Sequence, residues 1–172
     1  MNLSVDGKIR NYIFALVLTA TITTLIAVII VGNNQDKAYR DNYMRYKQAV
    51  RLIGEQKYSA AQTILNSLDT DSQASYQVLY LQAMCAEGTG DYSAAAGYMQ
   101  RVRETRPAIL QDQIYLYRYG AILYHLNDCQ NAQLYLQESI KYKEDNKTTM
   151  QARNLLDEIN KKYPGGEADV NE

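Results

Sequence analysis

Few residues in this chain could do chemistry, and their spacing is the first constraint on function. One histidine, His125, and two cysteines, Cys85 and Cys129, stand in 172 residues. A catalytic base needs a nucleophile or a carboxylate held against it, and nothing around His125 supplies either. Two separated cysteines and one histidine lack the spacing of a metal site. "EGTGDY" at 87–92 has two glycines but neither the lysine nor the preceding strand of a phosphate loop. Asn146-Lys147-Thr148 fits a glycosylation acceptor by pattern only. The expectation is a non-enzyme with no catalytic residues, no metal and no cofactor. What stands out is tyrosine: 16 Tyr against one Phe and no Trp. Such side chains combine contact area with a polar tip and suit binding surfaces.

The elements that would position those tyrosines follow from an internal repeat. "EQKYSAA" at 55–61 returns as "TGDYSAA" at 89–95. Tyr58 and Tyr92, Gly54 and Gly88, and Ala61 and Ala95 are all 34 residues apart. A looser copy, "LNDCQNAQLYL" at 126–136, aligns Ala132 with Ala95 at an offset of 37 and puts Cys129 where Tyr92 stands. The three extra residues fit the stretch after Pro107. In the second copy Leu79, Ala83 and Ala86 recur at helical spacing, as do Ala95, Met99 and Val102. Between them the glycines allow positive φ at a helix end, Asp91 or Ser93 can cap the next helix, and Pro107 stops it. Each unit is therefore a pair of antiparallel helices joined by a tight turn.

This pattern resembles the tetratricopeptide repeat (TPR). The matching residues are Tyr58, Ala61 and Leu65 in the first unit. In the second they are Ala83, Gly90, Asp91, Tyr92, Ala95 and Pro107. In the third they are Tyr119, Gly120, Asp128, Ala132 and Leu136. Cys129 departs from the turn aromatic, and only one unit ends in proline. The resemblance covers roughly 42–145 and implies an all-α solenoid that binds a protein or peptide; the alternative readings are a structural subunit of a larger membrane complex or a ligand-sensing accessory protein. The expected domain is 42–163, with units 42–75, 76–112 and 113–146. A capping helix at 148–163 would place Ala152, Leu155, Leu156, Ile159 and Tyr163 along one face. About seven helices are expected. The tail 164–172, "PGGEADVNE", has no apolar run and reads as disordered. Cys85 and Cys129, at different places in their units, are either a disulfide or two packed thiols.

In TPR proteins the first helix of each unit lines a concave groove. Carried over position by position, the resemblance implies Tyr43, Tyr46, Val50 and Ile53 in the first unit, and Gln77, Tyr80, Met84 and Glu87 in the second. In the third it implies Ile114, Tyr117, Ala121, Tyr124 and His125. Tyr46, Tyr80 and Tyr117 share one repeat position and are expected to form an exposed ladder. The lysine and asparagine set with which some TPR grooves clamp a carboxyl terminus is absent.

A short tail, 1–11, precedes "YIFALVLTATITTLIAVIIV" at 12–31, twenty residues without a charge. As a helix this run is about 30 Å long, the thickness of a bilayer core. It exceeds the apolar run of a cleaved leader and lacks an A-x-A site. The expectation is a transmembrane helix at 12–32 and a linker at 33–41. Ala15, Thr19, Thr23 and Ala27 make one face small, which favours packing against another membrane helix or a second copy. Lys8 and Arg10 precede the span, while Lys37, Arg40, Arg45 and Lys47 follow it. That count alone puts the domain in the cytoplasm, but long domains translocate largely regardless of charge. The favoured arrangement is a single-pass plasma-membrane protein with its N-terminus inside and its repeats outside. Of 18 basic and 19 acidic residues, Lys8, Arg10 and Asp6 precede residue 33, which leaves the remainder at −2. No basic stripe of the kind nucleic acid demands is present.

Overall fold

A computed structural model describes residues 7–142 and 146–163. Every described element is helical: α1 (Gly7–Gly54), α2 (Tyr58–Asn66), α3 (Thr70–Ala74), α4 (Tyr76–Thr89), α5 (Tyr92–Thr105), a 3₁₀ turn (Pro107–Gln111), α6 (Gln113–His125), α7 (Cys129–Ile140) and α8 (Lys147–Lys162). By internal contacts the chain divides into Met1–Met44 and Arg45–Glu172. The tail 164–172 lies outside the described residues.

In the second unit of the chain, α4 and α5 pair, as do α6 and α7, and α8 packs on α7 and α6. The end of α1 and α2 supply the first helix pair, so the expected seven helices are present, with α3 and the 3₁₀ turn between pairs. The repeat register is written in the core. Ala61, Ala95 and Ala132 share one position, and Leu65, Met99 and Leu136 another; all six are fully buried. Alanine at the first lets paired helices approach closely, and the larger residue one helical turn on fills the space beside it. Helix α4 is buried on two sides. Leu79, Ala83 and Ala86 join the core shared by α5 to α8, whereas Val78, Leu81 and Cys85 join Ala49, Ala61 and Leu65.

The turns repeat as well. Gln56, Gly90 and Asn127, again at offsets of 34 and 37, all have left-handed φ (59°, 82° and 62°). The next residue begins the second helix, and its side chain decides the cap. Asp91 accepts from Ala94 N at 3.0 Å and Asp128 from Asn131 N at 3.2 Å. Lys57, at the same place, makes no capping bond. The cap of α5 is Asp91, not Ser93. The three residues that lengthen the second interval build the 3₁₀ turn after Arg106, with Pro107 first, where its missing N–H costs nothing.

One boundary is corrected. Residues 33–41, expected as a linker, are helical within α1. No proline interrupts them, and a helix already nucleated extends through Gly32 and Asn33 at small cost per residue. In the N-terminal part of α1, Phe14, Leu16, Leu25 and Val28 are exposed. Thr19 donates to the carbonyls of Ala15 at 3.0 Å and Leu16 at 2.9 Å, and Thr23 to those of Thr19 at 3.0 Å and Ala20 at 2.9 Å. Both hydroxyls are thereby satisfied inside their own helix, which leaves the face of Ala15, Thr19, Thr23 and Ala27 small. Cys85 is buried and Cys129 half-buried, both as free thiols. Burial pushes the Cys85 thiol up to about 11, as expected of a packed, unreactive sulfur.

Candidate functional site: an aromatic pocket between the repeat helices

A concave pocket of about 730 Å³ opens between the first helices of the units. Tyr46 reaches it from α1, and Tyr80, Leu81 and Met84 from α4. Arg106 comes from the end of α5, Ile109 and Gln111 from the 3₁₀ turn, and Ile114, Tyr115 and Arg118 from α6. Local sequence explains each arrival. Ser75 and Asp112 cap α4 and α6; Asp112 accepts from Ile114 N at 2.8 Å and Tyr115 N at 3.0 Å. The caps set where each helix starts, and so which residues of its first turns face the pocket. Tyr115 anchors the back of the wall: fully buried, it donates through its hydroxyl to the Met99 carbonyl at 2.9 Å.

The pocket is aromatic with cations at its edge. Arg118 Nη1 donates to Glu87 Oε2 at 2.6 Å, tying α6 to the end of α4. The Arg106 guanidinium sits over the Tyr76 ring, 4.5 Å from its centroid. Tyr80 is half-buried, and loss of solvation pushes its hydroxyl up to about 12. It is therefore a neutral donor at every physiological pH. Among the described residues, no group of three or more His, Cys, Asp or Glu is close enough together to hold a metal.

Of the expected groove residues, Tyr46, Gln77, Tyr80, Met84 and Ile114 line the pocket. The others do not. Ile53 is core: it joins Val78, Leu81 and Cys85 in one buried cluster, because its position faces the next unit's first helix and an apolar residue there is covered. Glu87, at the matching place, meets Arg118 of the next helix instead, and Tyr124 reaches Glu158 of α8 at 3.3 Å. Ala121 is buried on a helix that α8 covers. His125 stacks on Tyr92, with ring centroids 4.2 Å apart and planes 14° from parallel. Tyr43 and Val50 are exposed outside the pocket.

The tyrosine ladder needs the same correction. Tyr46 packs on the cluster of Ala49, Ala61 and Leu65, and Tyr80 and Tyr117 on the core shared by α4 to α8. All three are half-buried rather than exposed, and Tyr117 lies outside the pocket. A pure groove position would leave the rings free, but a wide side chain on a closely packed helix also covers its neighbours. Sequence reasoning missed Arg106, Ile109, Gln111 and Arg118. Ile109 and Gln111 sit on the inserted segment, for which the repeat has no template, although the offset of 37 marked it, and Arg106 ends α5 just before it.

Residues 77–108 match the family model described as "Tetratricopeptide repeat". No curated protein matches the chain in sequence. Among solved structures the chain is similar to the Sgt2 TPR domain from Aspergillus fumigatus, with a TM-score of 0.60 over 77% of this chain and 87% of that one, at 13% identity. At that identity the likeness speaks for the fold alone. A matched repeat, a register of alanines kept through three units and a shared helical architecture give this chain a tetratricopeptide-repeat-like fold.

Proposed function

We propose that the protein is a membrane-anchored TPR scaffold that gathers a protein or peptide partner in its aromatic pocket, in envelope assembly, secretion or membrane-complex biogenesis. The observation that carries this reading is the pocket itself: accessible tyrosines and aliphatic side chains converge between first helices, the place where such folds present binding surface. The N-terminal helix supports the anchor, being long and apolar enough to cross a bilayer. No step of this function requires catalysis. The favoured orientation has the N-terminus inside and the repeats outside the plasma membrane. The small face of Ala15, Thr19, Thr23 and Ala27 would pack against a second membrane helix, either a partner's or that of a second copy.

The test places a photocrosslinking side chain at Gln77 or Gln111 of the full chain in its membrane, with Gln100 of α5 as an exposed control outside the pocket. A partner is expected from the first two positions and not from the third, and Tyr80→Ala should reduce its yield. Equal yields from all three sites reject the pocket as the binding face. Carbonate extraction should leave the chain in the membrane, and protease added to spheroplasts should reach the repeats. Protection of the repeats would move the scaffold to the cytoplasmic side.

A further inference from the structure

We infer that the pocket takes an extended peptide segment in which acidic residues alternate with large apolar ones, an acidic side chain meeting Arg106 and an apolar one lying against Tyr46, Tyr80 and Met84. The inference rests on the scaffold reading and names the chemistry of its partner.

Charge is the first argument. Three charged residues line the pocket: Arg106, Asp112 and Arg118. Two are already engaged. Asp112 accepts two backbone N–H groups at the start of α6, and Arg118 is paired with Glu87 at 2.6 Å. Arg106 alone has no carboxylate partner among the described residues. Its one contact is the Tyr76 ring, 4.5 Å away, and the side chain is exposed. The pocket thus offers one guanidinium with no carboxylate paired to it among the described residues. A guanidinium held over a ring keeps its planar fork open and has lost part of its rotamer freedom already. Both favour a carboxylate ligand over a water shell.

The apolar wall is the second argument. Ile114 is 53% exposed at the pocket, and Met84 and the rings of Tyr46 and Tyr80 are only half covered. Among the described residues no protein group hydrogen-bonds the Tyr80 hydroxyl, so that donor is available to a peptide carbonyl. An extended chain turns successive side chains to opposite sides, so alternation lets one short segment satisfy charge and aromatic surface together.

The experiment uses the full chain in lipid nanodiscs and three fluorescein-labelled peptides with amidated ends, which removes the terminal carboxylate. One alternates aspartate with leucine and phenylalanine; the others replace aspartate by asparagine or by lysine. The aspartate peptide should bind about tenfold more tightly than its asparagine isostere, as expected for a hydrogen bond gaining a charge, and the lysine peptide most weakly. Arg106→Gln should bring the aspartate peptide down to the asparagine level, and Arg106→Lys should restore part of the difference. Tyr80→Ala should weaken the aspartate and asparagine peptides alike. Equal binding of those two, with both lost in Tyr80→Ala, overturns the acidic preference and leaves the scaffold reading standing. Binding indifferent to both Arg106→Gln and Tyr80→Ala places the peptide elsewhere and overturns the inference. So does the absence of binding by every probe, a result separable from crosslinking at Gln77.

Discussion

Tyr58 of the first repeat unit lies against Gly88 of the second so closely that no other residue fits at 88 without displacement. A Cβ there would stand 2.5 Å from both Cγ and Cε2 of the ring. Gly88 is not there for an unusual φ; the left-handed turn residue is Gly90, two residues on. Its role is to let the turn aromatic of one unit sit on the first helix of the next. Gly88→Ala should therefore cost about 1–3 kcal/mol by overpacking. A denaturant midpoint measures it. Adding Tyr58→Leu should recover part of that loss, since the two changes share one contact and should not be additive. Additive losses would mean that the ring does not bear on Gly88.

The turn position offers a gain in stability. Gln56 and Asn127 hold left-handed φ where the second unit uses Gly90. Such a conformation crowds the Cβ of an L-residue, less severely for asparagine than for glutamine. Gln56→Gly should stabilise the fold by roughly 0.5–1 kcal/mol, with glycine's extra unfolded-state freedom keeping the gain modest. Asn127→Gly should give less. The order of the two melting-temperature shifts is the test, and a larger gain at 127 contradicts it.

Lys57 is the repeat's one missing cap. Asp91 and Asp128 hold the N–H groups of Ala94 and Asn131, while Lys57 pairs only with Glu55 at 2.7 Å on the surface. That exposed pair is worth little. Lys57→Asp should add about 1 kcal/mol by capping α2, and Asp91→Ala should remove a similar amount. Thermal unfolding of both variants checks the symmetry, and no gain at 57 would show that the first turn cannot adopt the aspartate geometry.

How much of this was legible beforehand varies from residue to residue. Ala61, Ala95 and Ala132 announce the fold because close helix approach admits only small side chains, and that demand recurs with the period. Ile53 misled because its repeat position faces the next unit, and an isoleucine reads the same whether a neighbour covers it or solvent does. Ile109 was invisible as a pocket residue: it lies on the segment that breaks the period, so no equivalent position existed to carry it over. His125 reads as a groove residue by register, yet stacking on Tyr92 depends on a ring 33 residues earlier. The helical state of residues 33–41 was missed because polar composition suggests a linker, although nothing there stops a helix.

Alkaline pH should unfold the protein in a specific way. Burial raises the hydroxyl of Tyr80 to about 12 and that of Tyr115 further still. A raised acid favours the neutral form in the fold, so the native state holds more protons than the unfolded chain above pH 10. Stability is then full below about pH 10, the ordinary value for tyrosine, and falls as pH rises through the folded values. Tyr115→Phe should flatten that fall while losing the hydrogen bond to Met99, and Tyr80→Phe should flatten it without losing any. Denaturant midpoints measured between neutral pH and pH 11 decide it. An unchanged slope in both variants would exclude these two groups as the source.

Tyr46, Tyr80 and Tyr117 can be separated as packing and binding residues. From sequence alone, exposed rings would cost little stability on truncation, within roughly 0.5 kcal/mol. Their half-buried placement argues otherwise: each covers core, so each Tyr→Ala should cost more than that surface value and less than the 3–5 kcal/mol typical of a fully buried aromatic. Phenylalanine is the cleaner probe, because it keeps the ring and removes only the hydroxyl. Tyr80→Phe should leave the unfolding midpoint within roughly 0.5 kcal/mol of the parent. It should also lower crosslinking from Gln77, since it removes a donor from a residue that lines the pocket. Tyr117→Phe should change neither quantity, because that residue lies outside the pocket despite sharing the repeat position. Equal loss of crosslinking from both variants would restore the ladder as the binding element. No loss from Tyr80→Phe, with the fold intact, would remove its hydroxyl from recognition and leave the ring alone to account for any effect of Tyr80→Ala.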